Sequence, residues 1–203
     1  MTVGTAQSRY RQVFHYFGCH FIIALAYANN SEGSEVRFMG EQEASLEAFL
    51  QAWGNYPTGV SVVTSIEPDG SVHGMAANGI NSVSLDPLLV LVSVGHNRNS
   101  YPLIKDAGRF AINILSGEQR AIASHYASPA ERRSADFDVS FTFTENGAAF
   151  IDGSIASMDC RTVHEHVEGD HTIFIGAVER IDINDGEALA YCQGKFGRVV
   201  LDG

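Results

Sequence analysis

Two stretches of this chain concentrate side chains that bind or react. His96-Asn97-Arg98-Asn99-Ser100 follows an apolar run and opens a helical pattern. Free N–H groups at a helix N-terminus attract anions, and the Arg98 guanidinium adds a fork of donors. That chemistry suits a phosphate. A plainer role is also open: Asn99 or Ser100 caps the helix and Arg98 points into solvent. The second stretch, Ala76-Ala77-Asn78-Gly79-Ile80-Asn81-Ser82-Val83-Ser84, is small and polar and lies between two strand patterns. Gly lets a backbone approach a flat heterocycle closely. Asn78, Asn81, Ser82 and Ser84 supply amide and hydroxyl groups. An ordinary polar connection would have the same composition.

The histidines divide into two cases. In His164-Glu165-His166 the two imidazoles share one face of a strand, because residues i and i+2 do. With Asp170 or His171 they would make a metal site resembling part of a cupin motif; a solvated strand edge is the alternative. His171 follows a tight turn and precedes the apolar Ile173-Phe174-Ile175. Several common motifs are missing from the sequence: GxGxxG after a strand, GxxxxGK[ST], HExxH and GxSxG. A Rossmann dinucleotide domain is therefore disfavoured, and any nicotinamide must bind by another route.

The totals narrow the class. With 203 residues, 45% of them hydrophobic and 18% charged, the chain can bury a sizeable core as one compact domain. Its net charge of −11 and its scattered Lys and Arg disfavour nucleic acid, which needs a basic stripe. Cys19, Cys160 and Cys192 are odd in number, widely spaced and form no CxxC pair. Reduced thiols in a cytoplasmic protein are expected.

Residues 1–38 differ from the rest. Arg9 and Arg11 precede the apolar run 17–26, which ends in Ala26-Tyr27-Ala28, a signal-peptide pattern too short for a membrane span. His15 and His20 sit in or beside that run and weaken the signal reading. Met39 begins an ordinary start for a soluble domain, so 1–38 is expected to be upstream sequence before the true start. An export signal and a docking arm are the alternatives. The folded domain is expected over 39–203.

The elements that must hold these residues follow from periodicity. Leu46, Phe49, Leu50 and Trp53 fall at i, i+3, i+4 and i+7, one apolar helix stripe. Gly54-Asn55-Tyr56-Pro57 ends it. Val60, Val62, Thr64 and Ile66 alternate with Ser61 and Ser65 as a strand, and Pro68-Asp69-Gly70 turns it into a second strand over about 71–77. The continuous run 88–94 reads as a strand buried on both faces. Ser100-Tyr101-Pro102 opens a short helix, and 110–115 is another buried strand. Ser116-Gly117-Glu118-Gln119 reads as a capping box for a helix to about Tyr126. The polar stretch 128–138 is expected to be a loop. Val139, Phe141 and Phe143 alternate. Two long strands, about 155–167 and 172–183, flank Glu168-Gly169-Asp170 as a hairpin. About seven strands and three helices without βαβ alternation predict a mainly β antiparallel barrel or sandwich with peripheral helices.

Four of these segments, in this order, resemble one family. Pro57-Thr58-Gly59-Val60-Ser61-Val62-Val63-Thr64 looks like the first barrel strand of the short-chain flavin reductases, the reductase components of two-component flavin monooxygenases. Gly74-Met75-Ala76-Ala77-Asn78 with Ser82-Val83-Ser84-Leu85-Asp86-Pro87 is similar to their next signature. Gly108-Arg109-Phe110-Ala111-Ile112-Asn113-Ile114-Leu115 and Gly169-Asp170-His171-Thr172-Ile173-Phe174-Ile175-Gly176 resemble two more. The likeness covers about residues 46–197.

The resemblance implies an FMN-binding split β-barrel, a homodimer with flavin near the subunit interface. It implies that Thr58, Gly59, Val60, Ser61 and Val62 line the isoalloxazine, and that Ala77, Asn78, Ser82 and Ser84 contact ring, ribityl chain or phosphate. Arg98, Asn99 and Ser100 would hold the phosphate end. Asp170 and His171 would sit on the nicotinamide side with His171 as the catalytic residue, approached by Phe196 and Arg198 in Gly194-Lys195-Phe196-Gly197-Arg198. Three departures stand out: 1–38 has no counterpart, Phe196 replaces a common Tyr, and His96 replaces a frequent Lys.

The implied reaction is hydride transfer from NADH or NADPH to FMN or FAD. It asks the protein chiefly for orientation, with the reacting atoms roughly 3–3.5 Å apart. Reduced flavin would reach a partner monooxygenase by diffusion; no metal, membrane or nucleic acid is implied. Two other readings stay open: a split-barrel protein that holds flavin or haem without turnover, and a cupin-like metal enzyme built on His164, His166 and Asp170 or His171.

Overall fold

The computed structural model describes residues 44–200. Residues 1–38, with Cys19, His15 and His20, lie outside the described residues, and so do the readings placed on them. Helix α1 spans Leu46–Gly54, and Ser45 Oγ caps it by accepting from the Ala48 N–H at 3.1 Å. Its apolar stripe forms as the periodicity requires but remains exposed on this chain: Leu46 is 74% exposed and Trp53 64%.

Twelve strands follow among the described residues: β1 Thr58–Gly59, β2 Ser61–Ile66, β3 Val72–Ala77, β4 Ile80–Leu85, β5 Leu88–Gly95, β6 Arg109–Ile114, β7 Phe141–Phe143, β8 Ala149–Ile151, β9 Ala156–Glu168, β10 His171–Ile183, β11 Leu189–Cys192 and β12 Lys195–Arg198. The count exceeds the expected seven by β4, whose six residues lie largely in the stretch 76–84 that reads as a polar connection, and by β1, β8, β11 and β12, which carry too few residues for a period to show. Seven strands form one antiparallel sheet in the order β3-β2-β6-β9-β10-β5-β4. Its edges, β3 and β4, are joined by only Asn78-Gly79. Three Cα steps reach at most about 11 Å. The edges must therefore meet at that corner without pairing, and the sheet curls into a split barrel. The Ser93 N–H, donating to Gly79 O at 2.9 Å, pins the corner onto β5.

Helix α2, Ser100–Ala107, closes the interior. Its Ile104 is fully buried among Val63, Val90, Val92, Val94, Phe110, Ile112, Cys160 and Phe174. Gly176 lets the Phe110 ring lie against β10: a Cβ there would come 2.7 Å from Phe110 Cζ. The other face of β2 puts Val60 and Val62 with Leu115, Ile151, Leu189 and two residues of helix α3 (Arg120–Ala127), Ala123 and Tyr126. β1, β11 and β12 form a small sheet over this second cluster.

Two polar groups tie the layers. Asn113 is fully buried. Its Oδ1 accepts from the Ile151 N–H and Ser157 Oγ, both at 2.9 Å, and its Nδ2 donates to Val62 O at 3.1 Å. Asp159, also fully buried, pairs with Arg109 and accepts from Thr144 Oγ1 at 3.0 Å and Asn146 Nδ2 at 3.1 Å.

Three local expectations need correction. β5 is not buried on both faces: Val90, Val92 and Val94 enter the core, whereas Leu88 is 48% exposed, because the outer face of the curled sheet has no layer over it here. The strand expected from Val139 begins only at Phe141, where pairing with β8 starts. The helix after Ser116 opens as a 3₁₀ turn, Gly117–Gln119, before α3, with Gln119 Oε1 accepting from the Ser116 N–H at 3.0 Å. No helix among the described residues is long and apolar enough to cross a membrane.

Candidate functional site

The ends of β5 and β10 meet, and the reactive-looking residues gather there. His171 is paired opposite Gly95 on one side and Glu168 on the other. The turn before it needs Gly169 at φ +60°, the left-handed region. His171 Nδ1 lies 2.7 Å from Asp170 Oδ1. That hydrogen bond holds the exposed Asp170 carboxyl below its ordinary range. The His96 N–H donates to Asp170 O at 2.9 Å, and His96 Nε2 lies 3.0 Å from Oγ1 of the fully buried Thr172. Gly95 permits this crowding: a Cβ there would stand 3.1 Å from Asn97 Oδ1 and 3.4 Å from His171 Nε2.

Beyond Asn97 the same surface continues into a cleft of about 240 Å³. Arg98, Asn99 and Ser100 line one wall, with His73 and Met75 of β3 and the segment from Tyr126 to Arg133 opposite. The Asn99 side chain does not cap α2, but the Tyr101 N–H donates to Arg98 O at 3.0 Å and Pro102 carries no N–H, so the first turn offers the cleft little beyond the Ser100 N–H. Arg133 Nε donates to Ser128 O at 3.0 Å and its Nη2 to Tyr126 O at 3.3 Å, and the guanidinium lies 5.2 Å from the Tyr126 ring centroid. Burial is the main cause of its lowered pKa, and burial pushes the Tyr126 hydroxyl up. His73 is 8% exposed and its pKa is pulled down by burial, although Glu67 Oε1 stands 3.1 Å from its Nδ1.

The other expected site residues are placed as follows. Val60, Ser61 and Val62 are buried, so their side chains belong to the core and chiefly their backbone is available to a ligand. Gly59 is exposed and pairs with Ala190. Thr58 Oγ1 is buried with no hydrogen-bond partner among the described residues. Ala77 and Asn78 lead into the barrel corner; Ser82 and Ser84 lie on the edge strand β4, flanking a bulge. Phe196 stacks edge-on to Tyr191 at 5.4 Å with Arg120 over its ring, and Arg198 is paired with Glu118 at 3.0 Å and Glu187 at 3.7 Å. No hydrogen bond or ring contact joins Phe196 or Arg198 to Asp170 or His171 among the described residues.

The metal alternative does not assemble. His164 and His166 share a face with ring centroids 6.4 Å apart, but their partners across β10 are Ile175 and Ile173. Among the described residues no group of three His, Cys, Asp or Glu is placed to hold an ion. Sequence reasoning missed His73, Tyr126 and Arg133. The one available signal was Arg132-Arg133, a basic pair in the loop of an acidic chain.

Comparison with known proteins agrees with this architecture. A family model described as flavin reductase like domain matches residues 53–199. An FMN reductase (NADH) of Agrobacterium fabrum is 38% identical over 151 residues, 74% of this chain and 84% of the relative. An NADH:FAD oxidoreductase of Streptomyces globisporus, solved with NAD and FAD fragments, superposes with a TM-score of 0.69 at 34% identity, covering 76% of this chain and 92% of that one. The styrene monooxygenase flavin reductase of Pseudomonas putida superposes with a TM-score of 0.70 at 27% identity, over 76% and 98%. The curled seven-stranded sheet, the four ordered signatures and a family match over most of its length place this chain in the flavin reductase like domain family.

Proposed function

We propose that the chain is an NADH-dependent flavin reductase, taking FMN or FAD at the cleft and the nicotinamide at the neighbouring mouth. The observation that carries this reading is the continuity of the two surfaces: Asn97 and Arg98 belong to both the loop over Gly95 and His171 and the wall of the anion-friendly cleft. The donors fit a flavin phosphate, since the Ser100 N–H opens α2 beside Arg98 and Asn99.

When bound, flavin accepts the hydride and the nicotinamide supplies it. The chain binds and orients. Ala77, Asn78, Ser82 and Ser84, with the backbone of Thr58 to Val62, line the ring side. Asp170 fixes the His171 ring through Nδ1, which leaves Nε2 to accept from the nicotinamide carboxamide. NADH is the expected donor, as in the FMN reductase (NADH) that this chain resembles. The protein works as a homodimer with Phe196 and Arg198 brought toward the mouth of the partner. The exposed Phe49, Leu50 and Trp53 of α1 and Leu85 of β4 give it apolar surface to bury. Reduced flavin diffuses to a monooxygenase in the cytoplasm.

The test is NADH and NADPH consumption with FMN, FAD or riboflavin added. Flavin-dependent turnover is expected, with NADH preferred. His171→Ala should raise KM for NADH about tenfold, the scale of one lost hydrogen bond, and leave the flavin Kd unchanged. Unaltered nicotinamide kinetics would remove His171 from that role. A folded protein that binds flavin but consumes no NADH would overturn the reductase reading in favour of a binding module.

A further inference from the structure

Both chain neighbours of His171 are held by one residue. Asp170, before it, accepts through its carbonyl from the His96 N–H at 2.9 Å. Thr172, after it, places Oγ1 3.0 Å from His96 Nε2. The Thr172 side chain is fully buried, and His96 is its one hydrogen-bond partner among the described residues. A buried hydroxyl must place its hydrogen on an acceptor, and the imidazole Nε2 provides one. The His96 ring has a second support: it leans on Tyr101 with centroids 4.9 Å apart, and Tyr101 lies 6.0 Å from Phe174 of β10. Side chains alternate along a strand, so the buried Thr172 and Phe174 point into the barrel and the exposed His171 points out of it. His96 therefore grips β10 from the face opposite to the His171 ring. The strand itself does not depend on that grip, because β10 pairs with β5 from His171 to Ala177 and with β9 from His171 to Ile183.

We propose that His96 is a positioning residue for the nicotinamide: by fastening the backbone on both sides of His171, it sets the direction in which the His171 ring meets the dinucleotide. The inference rests on the reading that His171 contacts the nicotinamide. The work is divided between two residues. Asp170 fixes the His171 ring through Nδ1 at 2.7 Å, and His96 fixes the stretch of strand that carries the ring. The backbone half of the grip survives any substitution of His96 other than Pro. The side-chain half needs an acceptor at the place of Nε2, which a lysine ammonium or a phenyl ring lacks.

Steady-state NADH kinetics of the full chain at saturating FMN read the role. His96→Phe keeps a ring on Tyr101 and removes the acceptor. It should raise KM for NADH about fivefold, the scale of one neutral hydrogen bond, and leave kcat and the FMN Kd within about twofold. Thr172→Val removes the same bond from the other side and should do the same; it carries the test if His96→Phe does not fold. His96→Gln, whose amide reaches the place of Nε2, should restore most of the loss. His171 separates aiming from general damage. In a His171→Ala background no ring remains to be aimed, so adding His96→Phe should change KM by less than about twofold. Effects of His96→Phe and His171→Ala that multiply overturn the proposal, as does a His96→Phe variant that loses kcat and FMN affinity along with KM. An unchanged KM in His96→Phe, where His171→Ala raises it, overturns the proposal and leaves His171 in its role. An unchanged KM in His171→Ala removes the reading on which the proposal rests, and the proposal with it.

Discussion

Gly74→Ala should damage the wall of the cleft from underneath. Gly74 lies in β3, and the flat side of the Tyr126 ring rests on it. An added Cβ would stand 2.4 Å from Tyr126 Cε1, 2.6 Å from Cδ1 and 2.9 Å from Cζ. Carbon atoms settle at about 3.5–4.0 Å, so the ring must move by roughly 1 Å. It has little freedom to do so. Tyr126 is 7% exposed and packs with Val60, Val62 and Leu115. Overpacking of this kind costs about 1–3 kcal/mol. Replacing Gly by Ala inside a strand returns roughly 0.5–1 kcal/mol of backbone entropy. The net loss is therefore about 1–2 kcal/mol, a fall in Tm of roughly 2–8 °C for a domain of this size. Denaturant unfolding reads the energy at constant m. A double-mutant cycle reads the cause: in a Tyr126→Ala background the added methyl has no ring to meet, and its cost should vanish. If Gly74→Ala costs the same with and without the ring, or costs nothing, the packing argument is refuted.

Three further outcomes follow from burial and hydrogen bonding elsewhere in the barrel. Asn113→Leu strips partners from the buried Ile151 N–H, Ser157 hydroxyl and Val62 carbonyl; at about 1 kcal/mol per bond and more for the orphaned N–H, equilibrium unfolding should show a loss of roughly 3–5 kcal/mol, and a loss below about 1 kcal/mol would contradict the assignment. Burial, aided by Asp159, pushes the Cys160 thiol up to about 12. A thiol reagent should accordingly spare Cys160 in the native protein and label the partly exposed Cys192, with peptide mapping as the readout. Burial lowers the pKa of His73 below 6.5 in the folded chain, so the unfolded state takes the proton more readily. Stability from this group is complete above about pH 6.5 and is lost as pH falls through the folded value. His73→Gln should lose less stability than the unaltered protein between about pH 7.5 and pH 5, and parallel losses would count against it.

What was legible in the sequence was mostly local. The α1 stripe, the Pro68-Asp69-Gly70 turn, the hairpin at Gly169-Asp170 and the loop from His96 to Ser100 each depend on residues a few positions apart, and each formed. The four ordered signatures then supplied the split barrel that periodicity alone left as barrel or sandwich. What could not be read depends on distant partners. Tyr126 and Gly74 make one wall across 52 positions of chain, and nothing in either neighbourhood announces the other. The pairing of Arg198 with Glu118, 80 positions away, is likewise invisible from its own segment. Arg133 looked like loop charge although its partners are only five and seven positions away, because the Ser128 and Tyr126 carbonyls that hold it carry no side-chain signal. The outer face of β5 was read as buried because an apolar run says that a surface will be covered, not by which chain.

The position of β9 and β10 has a bearing on how the chain is made. This hairpin stands at the centre of the seven-stranded sheet, yet it is synthesised after the other five strands of that sheet. β6 can finish its pairing only on β9, and β5 only on β10. A nascent chain that ends before residue 156 therefore holds two separate assemblies, β4 with β5 and β3 with β2 and β6, each with an open apolar edge and no strand to join them. Synthesis usually lets N-terminal elements settle first; here their order is held in abeyance until the keystone emerges, and the waiting edges are the part of this fold most exposed to mispairing with other chains.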